Sequence, residues 1–311
     1  YWSSDVCSSD LNVEEALAQA DYVFEDRITV PAIHHCAIET HVAIATYDSR
    51  GKLTVYSPNQ NTFAFRIIIS KVLEMPMSKV RVVRPAIGGA FGGKLEAVIE
   101  PVVALLAKMT GRPVKMELNR RESIVSTRTR HAGVFYIKSG VNKDGTLVAQ
   151  DFRVILNTGA YATSALNVSG AMSHKVFKVY KTKHMRFTAT PVYTNTPIAG
   201  AMRGYGSPQA FAAQQIHLNR VAKALNMDFV DFQLKNLVEP DGVDPRFNSP
   251  HGNPRPLDCV TKGAEAFNWA SRPKTEEQGR FKRGIGMAIG SHGNGCFGAH
   301  RDVTAMVLKM N

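Results

Sequence analysis

Two periodicities alternate along the chain. Apolar residues at every second position mark strands, and apolar residues three or four apart mark helices. Alternating or β-branched runs predict strands over residues 22–30, 37–47, 52–57, 80–85, 114–118, 133–138 and 147–156. Helical spacing predicts helices over residues 13–20, 62–74, 95–109, 207–226, 228–237 and 259–268. In the second of these, Phe65, Ile68, Ile69 and Val72 would share one face. Asn12 and Asp228 stand where N-caps belong, and Ser207-Pro208 makes a helix start with Pro at the first helical position. Gly111-Arg112-Pro113 would stop the helix before it. Asp48-Ser49-Arg50-Gly51 and Asn142-Lys143-Asp144-Gly145 predict turns between strands. A last strand-like run covers residues 303–308.

This order predicts an α+β fold class, with mixed sheets and packed helices. Residues 1–10, YWSSDVCSSD, carry no apolar period and are expected to be a non-native or disordered tail. Residues 11–240 form a first domain, the Pro/Gly/Asp-rich stretch 241–257 a linker, and 258–311 the start of a second, incomplete domain.

Composition narrows the function classes. The 311 residues are 44% hydrophobic and 21% charged, which excludes a disordered chain. The net charge of +12 favours anionic partners, an anionic cofactor among them. Lys and Arg are scattered, with no run of five like charges, so no nucleic-acid-binding patch is expected. The four cysteines, Cys7, Cys36, Cys259 and Cys296, share no C-x-x-C spacing. Zinc ribbons and ordinary iron–sulfur signatures are therefore absent, and redox chemistry would need a partner to remove electrons. Apolar runs such as 67–69 and 102–107 are too short to cross a bilayer, and no signal peptide is visible, so a cytoplasmic location without membrane contact is expected.

Two segments carry chemistry. Gly88-Gly89-Ala90-Phe91-Gly92-Gly93-Lys94 lies between a predicted strand and a predicted helix. Its glycines permit positive φ and close backbone approach, and a following helix N-terminus would favour an anion. Gly88 to Lys94 also fits the first seven positions of the phosphate-loop pattern, which makes a degenerate nucleotide-binding protein the alternative reading. The next position, where Ser or Thr should hold magnesium, is Leu95, an aliphatic residue that cannot ligate a hard cation. The second segment is Arg203-Gly204-Tyr205-Gly206-Ser207-Pro208-Gln209. Its arginine suits a forked hold on an oxyanion, and Tyr205 could stack on a planar ring.

Together, G-G-x-F-G-G-K and R-G-[YF]-G-x-P-Q resemble the molybdenum-cofactor-binding large subunits of the xanthine dehydrogenase/aldehyde oxidase family, bacterial xanthine dehydrogenase type. Ile38-Glu39-Thr40-His41, Asn59-Gln60-Asn61-Thr62, Thr110-Gly111-Arg112-Pro113-Val114 and Asn157-Thr158-Gly159-Ala160-Tyr161 match in the same order. The resemblance implies that Gln60, Ala90, Phe91, Gly92 and Arg203 bind a molybdenum–molybdopterin cofactor, in its cytosine dinucleotide form. Gln60, Phe91 and Arg203 would lie near the metal, and Tyr205 would clamp the substrate. It implies oxidation of purines, other N-heterocycles or aldehydes with water as oxygen source. Electrons would leave through an iron–sulfur subunit and an FAD subunit.

Departures from the pattern shape the expected pocket. Animal-type xanthine oxidisers carry a Glu where this chain has Leu95 and an Arg where it has Ala171, so the substrate-facing positions Leu95 and Ala171 are apolar here. The family's catalytic Glu is expected beyond the C-terminus, with no catalytic residue among the 311; Glu39, Glu96 and Glu122 are read as structural. Ser291-His292-Gly293-Asn294-Gly295 resembles a loop of the family's second cofactor domain. The isolated chain is therefore expected to be a truncated piece without turnover.

Overall fold

A computed structural model describes residues 8–9, 12–244, 249–273, 276–278 and 280–292. Two mixed sheets organise it. The larger is built from β1 (Ser8–Ser9), β2 (Tyr22–Val30), β9 (Gly133–Val141), β10 (Leu147–Gly159) and β11 (His184–Tyr193), in the order β1-β11-β10-β9-β2. The smaller is built from β4 (Val42–Tyr47), β5 (Leu53–Tyr56), β6 (Val80–Val83) and β7 (Val114–Glu117), in the order β6-β5-β4-β7. β3 (Ile33–His34) and β8 (Thr129–Arg130) pair antiparallel apart from both. Each sheet holds one parallel pair, β10 with β11 and β5 with β6, and a helix makes each crossover. The α+β class read from the sequence holds.

In the smaller unit, α2 (Thr62–Val72) and α3 (Glu100–Thr110) pack on the sheet around Ala43, Ala45, Val55, Ile69, Val103 and Ala107. Small side chains on strand and helix let the layers approach closely. In the larger unit, α5 (Ala165–Val176) and α6 (Ser207–Ala224) cover one sheet face. Phe152, Val154 and Leu156 point to that face at every second residue of β10 and join an aromatic core with Phe135, Phe177, Phe187 and Phe211. Ala149, on the other face, meets Val13, Ala16 and Leu17 of α1 (Val13–Gln19).

Several predicted boundaries move. The helix expected over 95–109 starts at Glu100, because Pro101 fits only a first turn and would break a helix begun earlier. Residues 95–99 are loop. The strand expected over 37–47 starts at Val42, since Glu39 is drawn off to bond Gly88. α4 (Arg120–Ser126), α5 and β11 were absent from the sequence reading. α4 has a legible signal, the Asn119/Glu122 capping box. β11 hid behind Pro191 inside it, a residue that argues against a strand. Ser8 and Ser9, assigned to a tail outside the fold, pair with Phe187 and Arg186 at the sheet edge. Residues 1–7 and the strand expected over 303–308 lie outside the described residues.

Residues 256–272 pack onto the larger unit. Val260 of α8 (Pro256–Phe267) joins its core, and Asp228 binds both the Trp269 indole N–H at 2.9 Å and Arg272 at 2.6 Å. Residues 276–278 and 281–283 form a short antiparallel pair.

Candidate cofactor cleft

The glycine loop leaves β6 and is fixed on its outer side. Lys94 is 3% exposed and forms an ion pair with Glu39, whose carboxylate also accepts from the Gly88 N–H at 3.1 Å. His41 donates from Nε2 to the Gly93 carbonyl at 3.1 Å. Burial, before any charge effect, lowers the pKa of His41 and of His35, so both rings act as neutral imidazoles at pH 7. Gly92 sits at φ +100°, and a Cβ there would lie 2.7 Å from the Ala201 carbonyl oxygen. Glycine is thus required by both conformation and space, because the loop lies flat against the irregular segment that leads to Arg203.

The inner side of the loop assembles the predicted site. The Gln60 Oε1 accepts from the Gly92 N–H at 3.0 Å, which leaves the Nε2 amide as its donor end. The Phe91 carbonyl accepts from the Arg203 N–H at 2.8 Å. His35 donates from Nε2 to the Ala201 carbonyl at 2.8 Å and so ties the β3 strand end to the same seam. Gln60, Ala90, Phe91, Gly92 and Arg203 are therefore brought together, although three separate motifs supply them. Phe91 is 47% exposed and adopts φ +54°, a left-handed conformation uncommon for a non-glycine residue. The surrounding hydrogen bonds hold it.

A cleft of about 580 Å³ opens beside this seam. Phe91, Met202 and Phe211 give it apolar walls; His35, Arg130, Arg203, Ser207 and His292 give it polar ones. No Asp or Glu lines it among the described residues. Arg130 is buried, and its guanidinium donates to the Arg203 carbonyl at 2.7 Å and to Gln209 Oε1 at 3.0 Å. Sequence reasoning missed His35, Arg130, Ser207 and His292 as wall residues. Ser207 stands within the arginine segment and His292 within residues 291–295, whereas His35 and Arg130 stand in neither motif and only the fold brings them to the cleft.

Leu95, Ala171 and Tyr205 do not line this cleft. Leu95 is half-buried, and its N–H donates to the Gly92 carbonyl at 3.2 Å. Ala171 is half-buried on α5. Tyr205, at φ +40°, packs against the larger core.

The nucleotide-binding alternative fails on this geometry. A phosphate-binding lysine must reach its ligand, but Lys94 is buried and neutralised by Glu39. The helix N-terminus that should favour an anion is already occupied: the Glu100 carboxylate accepts from the Val98 N–H at 2.9 Å and from Ser57 Oγ at 2.5 Å. A second arrangement looks catalytic and is not. His217 lies 2.7 Å from Asp26 Oδ2 and 2.9 Å from Ser139 Oγ, but Ser139 and His217 are fully buried and no substrate can reach them.

A glycine loop locked against an arginine loop, beside a cleft with arginines and no carboxylate among its described wall residues, suits an anionic ligand. The chain belongs to the molybdopterin cofactor-binding domain family, whose model matches residues 5–237. It is 34% identical over 303 residues to the putative xanthine dehydrogenase molybdenum-binding subunit XdhA of Escherichia coli strain K12, covering 96% of this chain and 40% of that protein. It is 37% identical over 225 residues to the nicotinate dehydrogenase large molybdopterin subunit of Eubacterium barkeri, covering 72% of this chain and 53% of that protein. Among solved structures, the aldehyde oxidoreductase of Desulfovibrio gigas superposes with a TM-score of 0.81 at 25% identity, over 87% of this chain and 30% of that one. The chain thus spans about 40% of the length of the xanthine dehydrogenase subunit it resembles. Among the described residues, no helix is long and apolar enough to cross a membrane.

Proposed function

We propose that this chain supplies part of the cofactor cleft of a molybdenum hydroxylase acting on purines, other N-heterocycles or aldehydes. The observation that carries the reading is the paired lock, Gln60 to Gly92 and Phe91 to Arg203, on a cleft wall that bears arginines and no carboxylate. Those residues suit an anionic, partly planar group. When bound, a molybdenum–pterin cofactor supplies oxygen transfer from water and accepts the substrate's electrons.

The chain's own residues bind and orient. Gln60 presents its Nε2 amide as a donor, Phe91 excludes water from one wall, and the exposed Arg203 side chain offers its forked guanidinium to oxygen ligands. No carboxylate lines the cleft among the described residues, and this reading takes the proton-accepting Glu from outside them. It also includes the cytosine dinucleotide form of the pterin, iron–sulfur and FAD partner subunits, a cytoplasmic location, and substrate contacts from Leu95, Ala171 and Tyr205 at a part of the pocket outside the cleft described above.

The test is cofactor content. The chain is purified from a host that makes the molybdenum cofactor, and pterin is released by oxidation and measured by fluorescence beside molybdenum by mass spectrometry. Both should be present, and Arg203→Ala should lower both while leaving the circular dichroism unchanged. Folded wild-type chain without pterin would sink the reading.

A further inference from the structure

We infer that Lys175 is a positioning residue of the arginine loop: held beneath residues 203–206, its amine fixes their backbone and so places the Arg203 side chain in the cleft. Lys175 lies on α5, buried at 9% exposure. Its Nζ donates to the Gly204 carbonyl at 3.0 Å and the Tyr205 carbonyl at 3.1 Å. The next carbonyl upstream, that of Arg203, is taken by Arg130. Three successive carbonyls are therefore gripped from below by two buried cations, while the Arg203 side chain is exposed.

The loop needs this grip. Gly204, Tyr205 and Gly206 adopt φ values of +90°, +40° and +92° in succession. Tyr205 is strained there, and such a conformation persists only where its surroundings over-determine it. Gly206 also leaves no room above α5: a Cβ would lie 2.7 Å from Met172 Cγ and 2.9 Å from the Val168 carbonyl oxygen. α5 is thus the template on which the loop is formed.

Packing alone does not call for a lysine here. Among the described residues Lys175 has no carboxylate partner, so two carbonyl dipoles are its compensation. Burial pushes its ammonium down to about 8. An apolar side chain of similar length would avoid that desolvation. What it would not supply is a charge-assisted bond to each carbonyl. Among the described residues, the charged or titratable groups near the loop include Arg130 on β8, Arg203 and Tyr205 of the loop itself, and His292, which meets Ser207 Oγ of α6 at 3.4 Å. The His292 pKa is lowered by burial and by the Lys175 charge.

The role takes its functional meaning from the cofactor reading above, but its structural part can be tested without cofactor. The probe is amide hydrogen exchange in the 311-residue chain, wild type against Lys175→Met and Lys175→Arg. The reporting N–H groups are those of Arg203, Tyr205 and Ser207, bonded to the carbonyls of Phe91, Met202 and Gly204. In Lys175→Met their protection should fall about tenfold or more, while β4 and β5 keep theirs. In Lys175→Arg most of it should return. In the wild type, after correction for intrinsic exchange, loop protection should fall as pH rises through about 8; in Lys175→Met it should be flat.

Unchanged loop protection in Lys175→Met, or one pH dependence shared by all three proteins, would overturn the inference. If Lys175→Met loses protection everywhere, the wild-type pH profile and the Arg variant decide. Pterin content separates this idea from the functional one. A wild type without pterin but with the stated loop behaviour counts against the cofactor reading alone. Pterin-loaded wild type with an indifferent Lys175→Met counts against Lys175 alone.

Discussion

The two units meeting at the cleft hold their loops in opposite ways. The smaller unit clamps the glycine loop by side chains on its outside, with Lys94 paired to Glu39 and His41 on the Gly93 carbonyl, and turns the Gly92 N–H inward to Gln60. The larger unit grips the arginine loop by its carbonyls, with Arg130 and Lys175 beneath, and turns a side chain outward. One loop offers backbone geometry and the other an exposed guanidinium. The cores differ in the same sense. The smaller is aliphatic and thin, and Phe63, Val72, Val102 and Met109 of its helices stay exposed; the larger is built around buried aromatic side chains. A rigid aromatic core suits the unit that must hold strained residues, because strain persists only where packing fixes it.

The sharpest way to break this comparison is at the seam. Gly92→Val places a β-branched side chain at φ +100° and a Cβ against the Ala201 carbonyl. Strain and overpacking together should cost about 4 kcal/mol in denaturant unfolding. Gly51, also at positive φ but facing open space, is the control: Gly51→Ala should cost about 1 kcal/mol. Equal losses at the two sites would mean that the loops are not locked together.

Lys94→Met comes next. It leaves Glu39 half-buried without its cation and should cost on the order of 3 kcal/mol. The double variant Lys94→Met/Glu39→Leu should lose less than the sum of the single changes, measured as a double-mutant cycle. An additive result would show that the pair does not clamp the loop.

The third prediction concerns acid. His131 is fully buried, and neither ring nitrogen has a hydrogen-bond partner among the described residues. Burial, then the neighbouring Arg130 charge, pushes its pKa down to about 4. The unfolded chain, with a pKa near 6.5, binds the proton first. His131 therefore leaves stability intact above about pH 6.5 and subtracts from it as pH falls toward 4. Between pH 7 and pH 5 the wild type should lose about 2 kcal/mol more than His131→Phe in urea unfolding. Parallel profiles would show that this histidine stays partnered or charged.

The smallest effect is chemical and needs the hydroxylase assembled with its partners. Leu95→Glu should raise the ratio of kcat/KM for xanthine over benzaldehyde by about tenfold, since a carboxylate beside an apolar aldehyde is desolvated without reward. A fall or no change would mean that Leu95, which does not line the cleft formed here, does not face the substrate.

The two motifs were legible because glycines and an arginine at fixed spacing are local facts, and the same holds for the turns and the Asp228 cap. Asn12 stands at its N-cap without a side-chain cap bond, and Pro208 falls one residue inside a helix that begins at Ser207. Asp228 caps its helix as read, accepting from Val230 N–H at 2.8 Å, and the Asn142–Gly145 turn joins β9 to β10. The helix expected at Leu95 begins instead at Glu100, because the apolar period runs on through residues 95–99 while the Pro101 ring fits only a first turn. The roles of Lys94 and Lys175 could not be read at all. Each is one lysine among 38 Lys and Arg residues, and what distinguishes it is a partner far off in sequence.

The sequence by itself determined the class of fold, the two loops and the family they point to, since all three rest on short-range pattern. Tertiary structure alone decided that Gly92 faces Gln60, that Lys94 is buried and paired, that arginines rather than carboxylates line the cleft among the described residues, and that Lys175 lies under the arginine loop. Charge and burial are properties of neighbours in space, and a lysine's chemistry is set by which carboxylate or carbonyl the fold brings within 3 Å or so.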